Sequence, residues 1–197
     1  MLERIGRWIR YNLIYLGHPP WDTGVSPPEL LAFLKAHHPG RVLDVGCGTG
    51  TNLLTLAEHG WQVVGIDLAW LSVLRARKKL RQAGYKYRVI HGDVTSHLAF
   101  KDKFDLILDI GCYHSLSKPG RARYRQNLRS WLNFDGVYLL YAHLRNHPES
   151  HYGFSEEDVQ AFGRFLDLCW RADNAENRLD GGGGRPASWM QFIRKRA

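Results

Sequence analysis

The chain alternates between short apolar runs and longer segments in which apolar residues recur every three or four positions. Five runs rich in β-branched and aromatic residues predict strands, at 42–45, 61–66, 87–91, 104–110 and 136–143. Five segments with the helical period predict helices, at 28–38, 51–59, 69–83, 121–131 and 155–162. Two last apolar runs, 165–170 and 188–194, predict a final pair of strands on either side of the glycine loop 181–184.

Strands that alternate with helices imply a parallel sheet with right-handed crossovers and helices on both faces. The final pair of strands is expected to add an antiparallel strand at one edge of the sheet. The predicted fold class is therefore α/β, with a seven-stranded, mostly parallel sheet. The chain of 197 residues shows no repeat and no internal boundary, so we expect a single domain over residues 1–197.

The first residues predict a separate amphipathic helix over 2–16, because apolar side chains recur at helical spacing and arginines occupy other positions; the apolar residues are Leu2, Ile5, Ile9, Leu13 and Leu16. A basic amphipathic helix can lie on a membrane surface, or it can pack on its own domain. We favour the second interpretation, in which residues 1–26 form a lid over a core that spans residues 27–197.

The first predicted strand runs into a turn with glycines at alternate positions, DVGCGTG over residues 44–50. Glycines permit positive φ angles and let a ligand approach the main chain closely. The second strand ends on Asp67, and an acid at that place in an open α/β sheet binds ribose hydroxyls of a nucleoside. The dinucleotide fingerprint G-x-G-x-x-G does not fit, because counting from Gly46 puts Thr51 where the third glycine belongs.

Polar residues also end the third and fourth predicted strands, at Asp93 and in the segment 109–116. Ligands of open α/β sheets bind beyond the carboxyl ends of the strands, so these residues, Asp67 and the glycine turn should face one crevice. Each acid alone is explained equally well as a turn former or a helix cap. Four strand ends with such residues together indicate a nucleoside site.

Several of these segments resemble the motifs of class I S-adenosylmethionine (SAM) methyltransferases. VLDVGCGTG at 42–50 resembles motif I, VGID at 64–67 resembles motif II, and HGDV at 91–94 resembles the motif beside the adenine. PWDTG at 20–24 and FDLILD at 104–109 resemble the corresponding segments of the thiopurine, thiol and halide methyltransferases and of the related tellurite-resistance type. The resemblance implies a Rossmann-like fold with a helical lid, SAM as methyl donor and S-adenosylhomocysteine as product.

The resemblance also implies roles for single residues in binding SAM. The glycines of the turn are expected to lie under the methionine moiety, Asp67 to accept the ribose hydroxyls, and Asp93 with Val94 to meet the adenine. Trp21 would cover the cofactor, where an aromatic ring near a sulfonium gains cation–π attraction. The full set of expected cofactor-binding residues is Trp21, Asp44, Gly46, Cys47, Gly48, Gly50, Asp67, Leu68, Asp93, Val94 and Asp109.

Methyl transfer from SAM is an in-line displacement that depends mostly on alignment of the reacting groups. A thiol, a halide or another soft nucleophile needs no strong base, whereas a small hydroxyl or amine compound profits from one. His114 is the candidate base, and a histidine that only shapes the pocket wall explains the sequence equally well. We expect His114 and Asp109 to be catalytic, and Tyr15, Tyr113 and His114 to bind the small-molecule acceptor.

The chain carries 27 Lys and Arg against 19 Asp and Glu, a net charge of +8, which favours anionic partners: nucleic acid, anionic lipid or small anions such as an anionic acceptor. Nucleic-acid methylation is therefore the main alternative, and a non-catalytic SAM-binding module is the second. The fourth strand ends in DIGC at 109–112, not in the Asn/Asp-Pro-Pro-Tyr/Phe of enzymes that methylate base amino groups, which makes nucleic acid the weaker expectation.

Three widely spaced cysteines, Cys47, Cys112 and Cys169, indicate reduced thiols, and no bound metal is expected. No apolar run reaches the roughly 20 residues of a membrane span. The N-terminus has no features of a secretory signal, so we expect a cytoplasmic protein. The sequence does not indicate the oligomeric state.

Overall fold

The computed structural model describes residues 2–147, 149–150, 152–174 and 186–196. In these ranges the strands are β1 (Arg41–Val45), β2 (Gln62–Asp67), β3 (Arg88–His91), β4 (Phe104–Ile110), β5 (Leu132–His143), β6 (Leu166–Asn174) and β7 (Ala187–Arg194). The helices are α1 (Leu2–Ile14), α2 (Pro28–Ala36), α3 (Thr51–Glu58), α4 (Trp70–Gln82), α5 (Lys118–Trp131) and α6 (Glu156–Phe162).

All seven strands form one sheet in the order β3-β2-β1-β4-β5-β7-β6. The pairs from β3 to β5 are parallel, whereas β7 runs antiparallel to both β5 and β6. The structure confirms the predicted α/β, Rossmann-like sheet with antiparallel pairing at one edge. The antiparallel strand is β7, which is second from that edge because it inserts between β5 and β6.

Helices cover both faces of the sheet, as predicted. Alternate residues of a strand point to opposite sides of the sheet, and in β1 each set includes apolar residues that pack in a core. On one face Val42 belongs to an apolar core with Leu30 and Phe33 of α2. On the other face Leu43 belongs to a second core with Trp131 of α5. Both faces of β1 are thus buried, which leaves the carboxyl end of the strand as the place where a ligand can reach it.

Three element boundaries differ from the expectation by three or more residues: β5 begins at Leu132 and not at 136, β6 ends at Asn174 and not at 170, and α5 begins early. This helix begins at Lys118 and not at 121, because Ser117 caps it by accepting from the Gly120 N–H at 3.3 Å, and the proline and glycine in its first turn are tolerated there. A 3₁₀ turn, Tyr113–Ser115, which the sequence did not predict, fills the space between β4 and α5. The glycine loop 181–184 lies outside the described residues.

Candidate cofactor and acceptor site

A cavity of ≈ 660 Å³ lies at the carboxyl ends of the parallel strands, under α1 and the segment that follows it. Its floor is formed by the glycine turn after β1 and by the ends of β2 and β3. One wall is formed by the residues after β4 and the end of β5. Ligands of open α/β sheets bind beyond the carboxyl ends of the strands, and the cavity lies at that position.

The glycine turn combines two structural requirements. Gly48 lines the cavity with φ +54°, and a Cβ added there would stand 3.0 Å from the hydroxyl of Tyr15. Gly50 has φ +82°, and its added Cβ would stand 2.9 Å from Ala76 of α4. Gly48 therefore keeps the cavity floor open, whereas Gly50 permits close packing of α3 against α4 and does not line the cavity.

Asp67 ends β2 and holds the glycine turn in place. Its carboxylate accepts the Gly48 N–H at 2.9 Å and the Ala69 N–H at 2.7 Å. Burial raises the pKa of Asp67, while these two backbone donors act in the opposite direction. A carboxylate has about four lone-pair sites, so Asp67 can also accept a hydroxyl of a ligand in the cavity.

Asp44 is the least satisfied acid of the cavity. Its side chain is buried, and its Oδ2 atom has no hydrogen-bond partner among the described residues. Burial, followed by the nearby charges of Asp109 and Asp67, raises the pKa of Asp44 well above its ordinary value. A buried carboxylate oxygen without a partner is costly, and a cationic ligand group would offset that cost.

The residues from α1 onward form the outer wall. Tyr15 is buried, and its hydroxyl lies over the glycine turn, where it accepts from the indole Nε1–H of Trp21 at 3.2 Å. Burial and the charge of Asp67 raise the pKa of Tyr15, so its hydroxyl stays protonated. Arg7 donates to Asp93 Oδ2 at 2.8 Å, which joins α1 to the end of β3.

Polar contacts hold the PWDTG segment against the glycine turn and the following Ser26 against α3. Thr49 donates its hydroxyl to Asp22 at 2.8 Å, and Ser26 donates to Asn52 Oδ1 at 2.8 Å. These bonds fix the chain on both sides of the exposed residues 23–25. The segment that resembles the methyltransferase signature is therefore a structural part of the cavity wall.

His114 stands on the opposite wall, in the 3₁₀ turn after β4, and is buried. Its Nδ1 lies 3.1 Å from the backbone nitrogen of His143, and its Nε2 lies 2.8 Å from the hydroxyl oxygen of Tyr152. Arg121 supports this wall from behind, since its Nη2 donates to the carbonyl oxygens of His114 at 3.0 Å and Gly153 at 2.8 Å. Buried donors thus fix the backbone around the histidine.

Two residues expected in the site are placed behind this wall and not on it. Asp109 is fully buried and accepts from the backbone N–H groups of Cys112 and Tyr113 and from the hydroxyl of Tyr124 at 2.7 Å. Tyr113 is also fully buried and donates its hydroxyl to Asp158 at 2.8 Å. Neither side chain lines the cavity: Asp109 shapes the turn that carries His114, and Tyr113 belongs to the core. Their expected contact with cofactor or acceptor stays a prediction.

Apart from Gly50, the other expected residues line the cavity together: Tyr15, Trp21, Asp44, Gly46, Cys47, Gly48, Asp67, Leu68, Asp93, Val94 and His114. Cys112 lies in the segment 109–116, which was expected to face the crevice, and it lines the cavity. Further lining residues were not expected from the sequence, among them Arg7, Arg10, Tyr11, Asp22, Tyr141, His143 and Tyr152. Of these, only Asp22 carried a local signal, as part of the PWDTG segment. Burial raises the pKa of Cys112, so its thiol stays protonated and is a poor methyl acceptor.

Among the described residues, no group of three or more His, Cys, Asp or Glu side chains is arranged to hold a metal ion. Each helix in the described ranges is too short or too polar to cross a membrane.

Comparison with known families identifies a methyltransferase domain over residues 42–136. An uncharacterized methyltransferase of Schizosaccharomyces pombe is 36% identical over 114 residues, which cover 58% of this chain and 77% of that protein. The 2-heptyl-1-hydroxyquinolin-4(1H)-one methyltransferase of Mycobacteroides abscessus is 32% identical over 114 residues, 56% of this chain and 49% of that protein. A probable thiol methyltransferase of Arabidopsis thaliana is 30% identical over 125 residues, 61% of this chain and 54% of that protein. The chain thus spans about half the length of the last two relatives.

Solved structures share the fold at lower sequence identity. The structure described as "Conversion of a Disulfide Bond into a Thioacetal Group during Echinomycin Biosynthesis" has a TM-score of 0.79 at 22% identity, covering 94% of this chain and 91% of that one. The N-methyltransferase NodS of Bradyrhizobium japonicum, in complex with S-adenosylhomocysteine, has a TM-score of 0.72 at 17% identity, covering 85% of both chains. These structures show the shared fold, and the relatives show the family: the chain belongs to the class I SAM-dependent methyltransferases.

The residues of the cavity fit SAM. The Asp44 oxygen that has no partner in the described structure suits the α-ammonium of the methionine moiety. The space that a Cβ at Gly48 would fill keeps the turn open to a ligand. The carboxylate of Asp67 at the end of β2 suits the ribose hydroxyls.

Proposed function

We propose that this methyltransferase acts on a small acceptor that brings its own nucleophile, a thiol, a halide or another soft or already ionised group. A small hydroxyl compound follows as the second choice and an amine as the third. The observation that carries the proposal is the engagement of both ring nitrogens of His114, which leaves no lone pair on this histidine to remove a proton from the acceptor. The names of two relatives support it, since one acts on a thiol and the other on a 1-hydroxyquinolin-4-one.

Bound SAM supplies a methyl group on a positively charged sulfur. The residues of this chain then have to orient the cofactor and exclude water. We assign the ammonium to Asp44, the ribose hydroxyls to Asp67, and the adenine to the end of β3, where the Arg7–Asp93 pair and Val94 bound the cavity. We assign Trp21 and Tyr15 to covering the reacting end, with residues 1–26 as the lid.

The acceptor side is walled by His114, Tyr141, His143 and Tyr152. With its Nδ1 accepting from the backbone, a neutral His114 carries its proton on Nε2 and donates it to Tyr152 Oη. In this arrangement His114 positions Tyr152 at the acceptor and does not act as a base. Rate acceleration then comes from alignment of acceptor and methyl group in a closed site.

The test is a transfer assay with SAM and a series of aryl thiols of graded pKa, run across pH. We expect the midpoint of the pH profile of kcat/KM to move with the pKa of the thiol. A midpoint that stays constant through the series and disappears in His114→Asn would establish histidine as the base and contradict the proposal.

The same assay decides between acceptor classes when iodide, 1-hydroxyquinolin-4-one, phenols, amines and bulk RNA are included. Methylation of RNA with a steep dependence on salt, and of no small compound, would show a nucleic-acid enzyme instead. Binding of SAM by calorimetry without transfer to any acceptor would favour the non-catalytic module.

Deleting residues 1–24 tests the lid. The deletion removes Tyr15 and Trp21 from the cavity, so SAM should bind at least about tenfold more weakly, the loss expected for roughly 1.4 kcal/mol of contact. Circular dichroism must show that the shortened chain is folded. A folded variant with an unchanged dissociation constant would exclude the lid role.

A further inference from the structure

The helix α1 presents its polar side to the protein and its apolar side to solvent. Toward the cavity it places Arg7, Arg10 and Tyr11. The other side carries aliphatic residues at a spacing of four, with exposed fractions of 47% at Ile5, 46% at Ile9 and 61% at Leu13, and Leu16 in the turn after the helix, 68% exposed, continues the stripe. An amphipathic helix on a globular domain normally buries such a stripe. The stripe of α1 is therefore available to a partner outside the domain.

Further exposed apolar residues adjoin the stripe. Trp8 in α1 is 41% exposed. The helix α4 meets α1 where the Asn12 side chain accepts from the backbone N–H of Trp70 at 3.0 Å, and Trp70 and Leu74 are 41% and 43% exposed. We call these residues together the N-terminal apolar patch: Ile5, Trp8, Ile9, Leu13, Leu16, Trp70 and Leu74.

The surroundings of the patch are basic. Along the exposed side of α4, Trp70 and Leu74 are followed one turn later by Lys78 and then by Arg81, both exposed. Arg10 of α1, which lines the cavity, is also exposed. The whole chain carries a net charge of +8. A partner that covers the patch therefore comes close to several cations.

This charge decides between two occupants of the patch. Pairing with a second copy would bring the same cations of both chains together, and like charges oppose such contact. An anionic lipid surface attracts the cations and accepts apolar side chains and tryptophan at its boundary. A helix with an apolar stripe, tryptophan and flanking arginines is the form that lies in a membrane interface.

We propose that the N-terminal apolar patch binds the surface of membranes that contain anionic phospholipid, with α1 lying in the interface. Ile5, Ile9, Leu13 and Leu16 enter the boundary between headgroups and acyl chains, and Lys78 and Arg81 contact the headgroups. The inward side of the same helix walls the cavity. Membrane binding and enclosure of the cavity thus involve one helix.

Flotation of the full chain with vesicles tests the proposal. We expect binding to vesicles of phosphatidylcholine with phosphatidylglycerol, much weaker binding to phosphatidylcholine alone, and loss of binding as salt rises. Ile9→Ser with Leu13→Ser should weaken binding about tenfold or more, since both side chains enter the interface. The matched control is Leu168→Ser, which removes an apolar side chain that is 40% exposed on β6 and should leave binding unchanged.

The charged half of the patch is tested in the same way. Lys78→Glu with Arg81→Glu should reduce binding to anionic vesicles, whereas Lys35→Glu with Lys101→Glu, the same change in charge at exposed positions elsewhere, should reduce it much less. Calorimetry with SAM serves as a check that each variant is folded. That check also separates membrane binding from cofactor binding, because vesicle flotation and SAM calorimetry measure the two independently.

Two results would overturn the proposal. One is the absence of vesicle binding, or equal binding to vesicles with and without phosphatidylglycerol that the substitutions in the patch leave unchanged. The other is a concentration-dependent dimer in analytical ultracentrifugation that Ile9→Ser with Leu13→Ser converts to monomer, because the patch would then join two copies of this chain.

Discussion

The backbone N–H of His143 donates to the Nδ1 atom of His114 at 3.1 Å. A backbone amide only donates, so Nδ1 has to supply the lone pair, and the neutral ring carries its proton on Nε2. That proton is directed at the hydroxyl oxygen of Tyr152, 2.8 Å away. The sequence left two roles open for His114, and this geometry favours the pocket wall over the base.

His114→Asn should keep most of the activity. The Oδ1 atom of asparagine can accept from the His143 N–H in place of Nδ1, so we expect kcat/KM for a thiol acceptor to fall less than about tenfold. His114→Phe leaves a buried N–H without an acceptor, at a cost of about 1–3 kcal/mol in the free energy of unfolding. Urea denaturation and initial rates measure both effects, and a near-complete loss of activity in a stable His114→Asn would contradict the prediction.

Asp44→Asn should weaken SAM binding and stabilise the free protein. A bond from a cationic ligand to a carboxylate contributes roughly 1.5–3 kcal/mol, so the dissociation constants of SAM and S-adenosylhomocysteine should both rise about 10-fold to 100-fold. The melting temperature without ligand should rise, because burial penalises the charged Asp44. Asp135→Asn, which removes an acid from an exposed surface pair, is the control and should change neither.

The raised pKa of Asp44 also predicts a pH dependence of binding. A cationic ligand prefers the ionised carboxylate, so SAM should bind more tightly as pH rises toward and through the raised pKa, and binding should release a proton. Calorimetry in buffers of different ionisation enthalpy measures this release. No proton release by the wild type, or equal release by Asp44→Asn, would count against the assignment of the ammonium to Asp44.

Gly48→Ala should impair the cofactor site more than the same change at another glycine with positive φ. The added Cβ meets the Tyr15 hydroxyl at 3.0 Å, whereas at Gly84, which has φ +77°, nothing lies within 4 Å. Both substitutions carry the backbone cost of roughly 1 kcal/mol, and only the first disturbs the cavity. Tyr15→Phe should relieve part of the effect of Gly48→Ala on SAM affinity, and strictly additive effects of the two changes would argue against the contact.

Asp109 should make stability depend on pH in a defined direction. Burial raises its pKa from 3.8 to about 6 despite its hydrogen bonds, so the folded state binds the proton more tightly than the unfolded state does. The free energy of unfolding of the wild type should therefore fall relative to Asp109→Asn as pH rises from about 4 to above 6, by roughly 3 kcal/mol in total. Urea denaturation at several pH values measures the difference, and parallel curves for the two proteins would disprove the shift.

The fold and the residues on the floor of the cavity could be predicted, because they depend on short, local sequence patterns. Apolar runs and helical spacing gave the strands and helices, and parallel strands bring their carboxyl ends to one edge of the sheet. The positions of Asp44, Asp67 and Asp93 at the cavity follow from that geometry. The start of α5 was less predictable from the sequence. Pro119 and Gly120 are typical turn residues, but in the structure they lie in the first turn of the helix, which Ser117 caps.

The sequence by itself determined the class of the protein, its donor cofactor and the edge of the sheet where the site lies, since these depend on short motifs and on the alternation of elements. Only the tertiary structure decided what single side chains do. Asp109 turned out to be buried behind the wall, His114 received its tautomer from His143, and α1 turned its apolar stripe outward. Each of these outcomes depends on contacts between residues far apart in the chain, which spacing along the sequence does not encode.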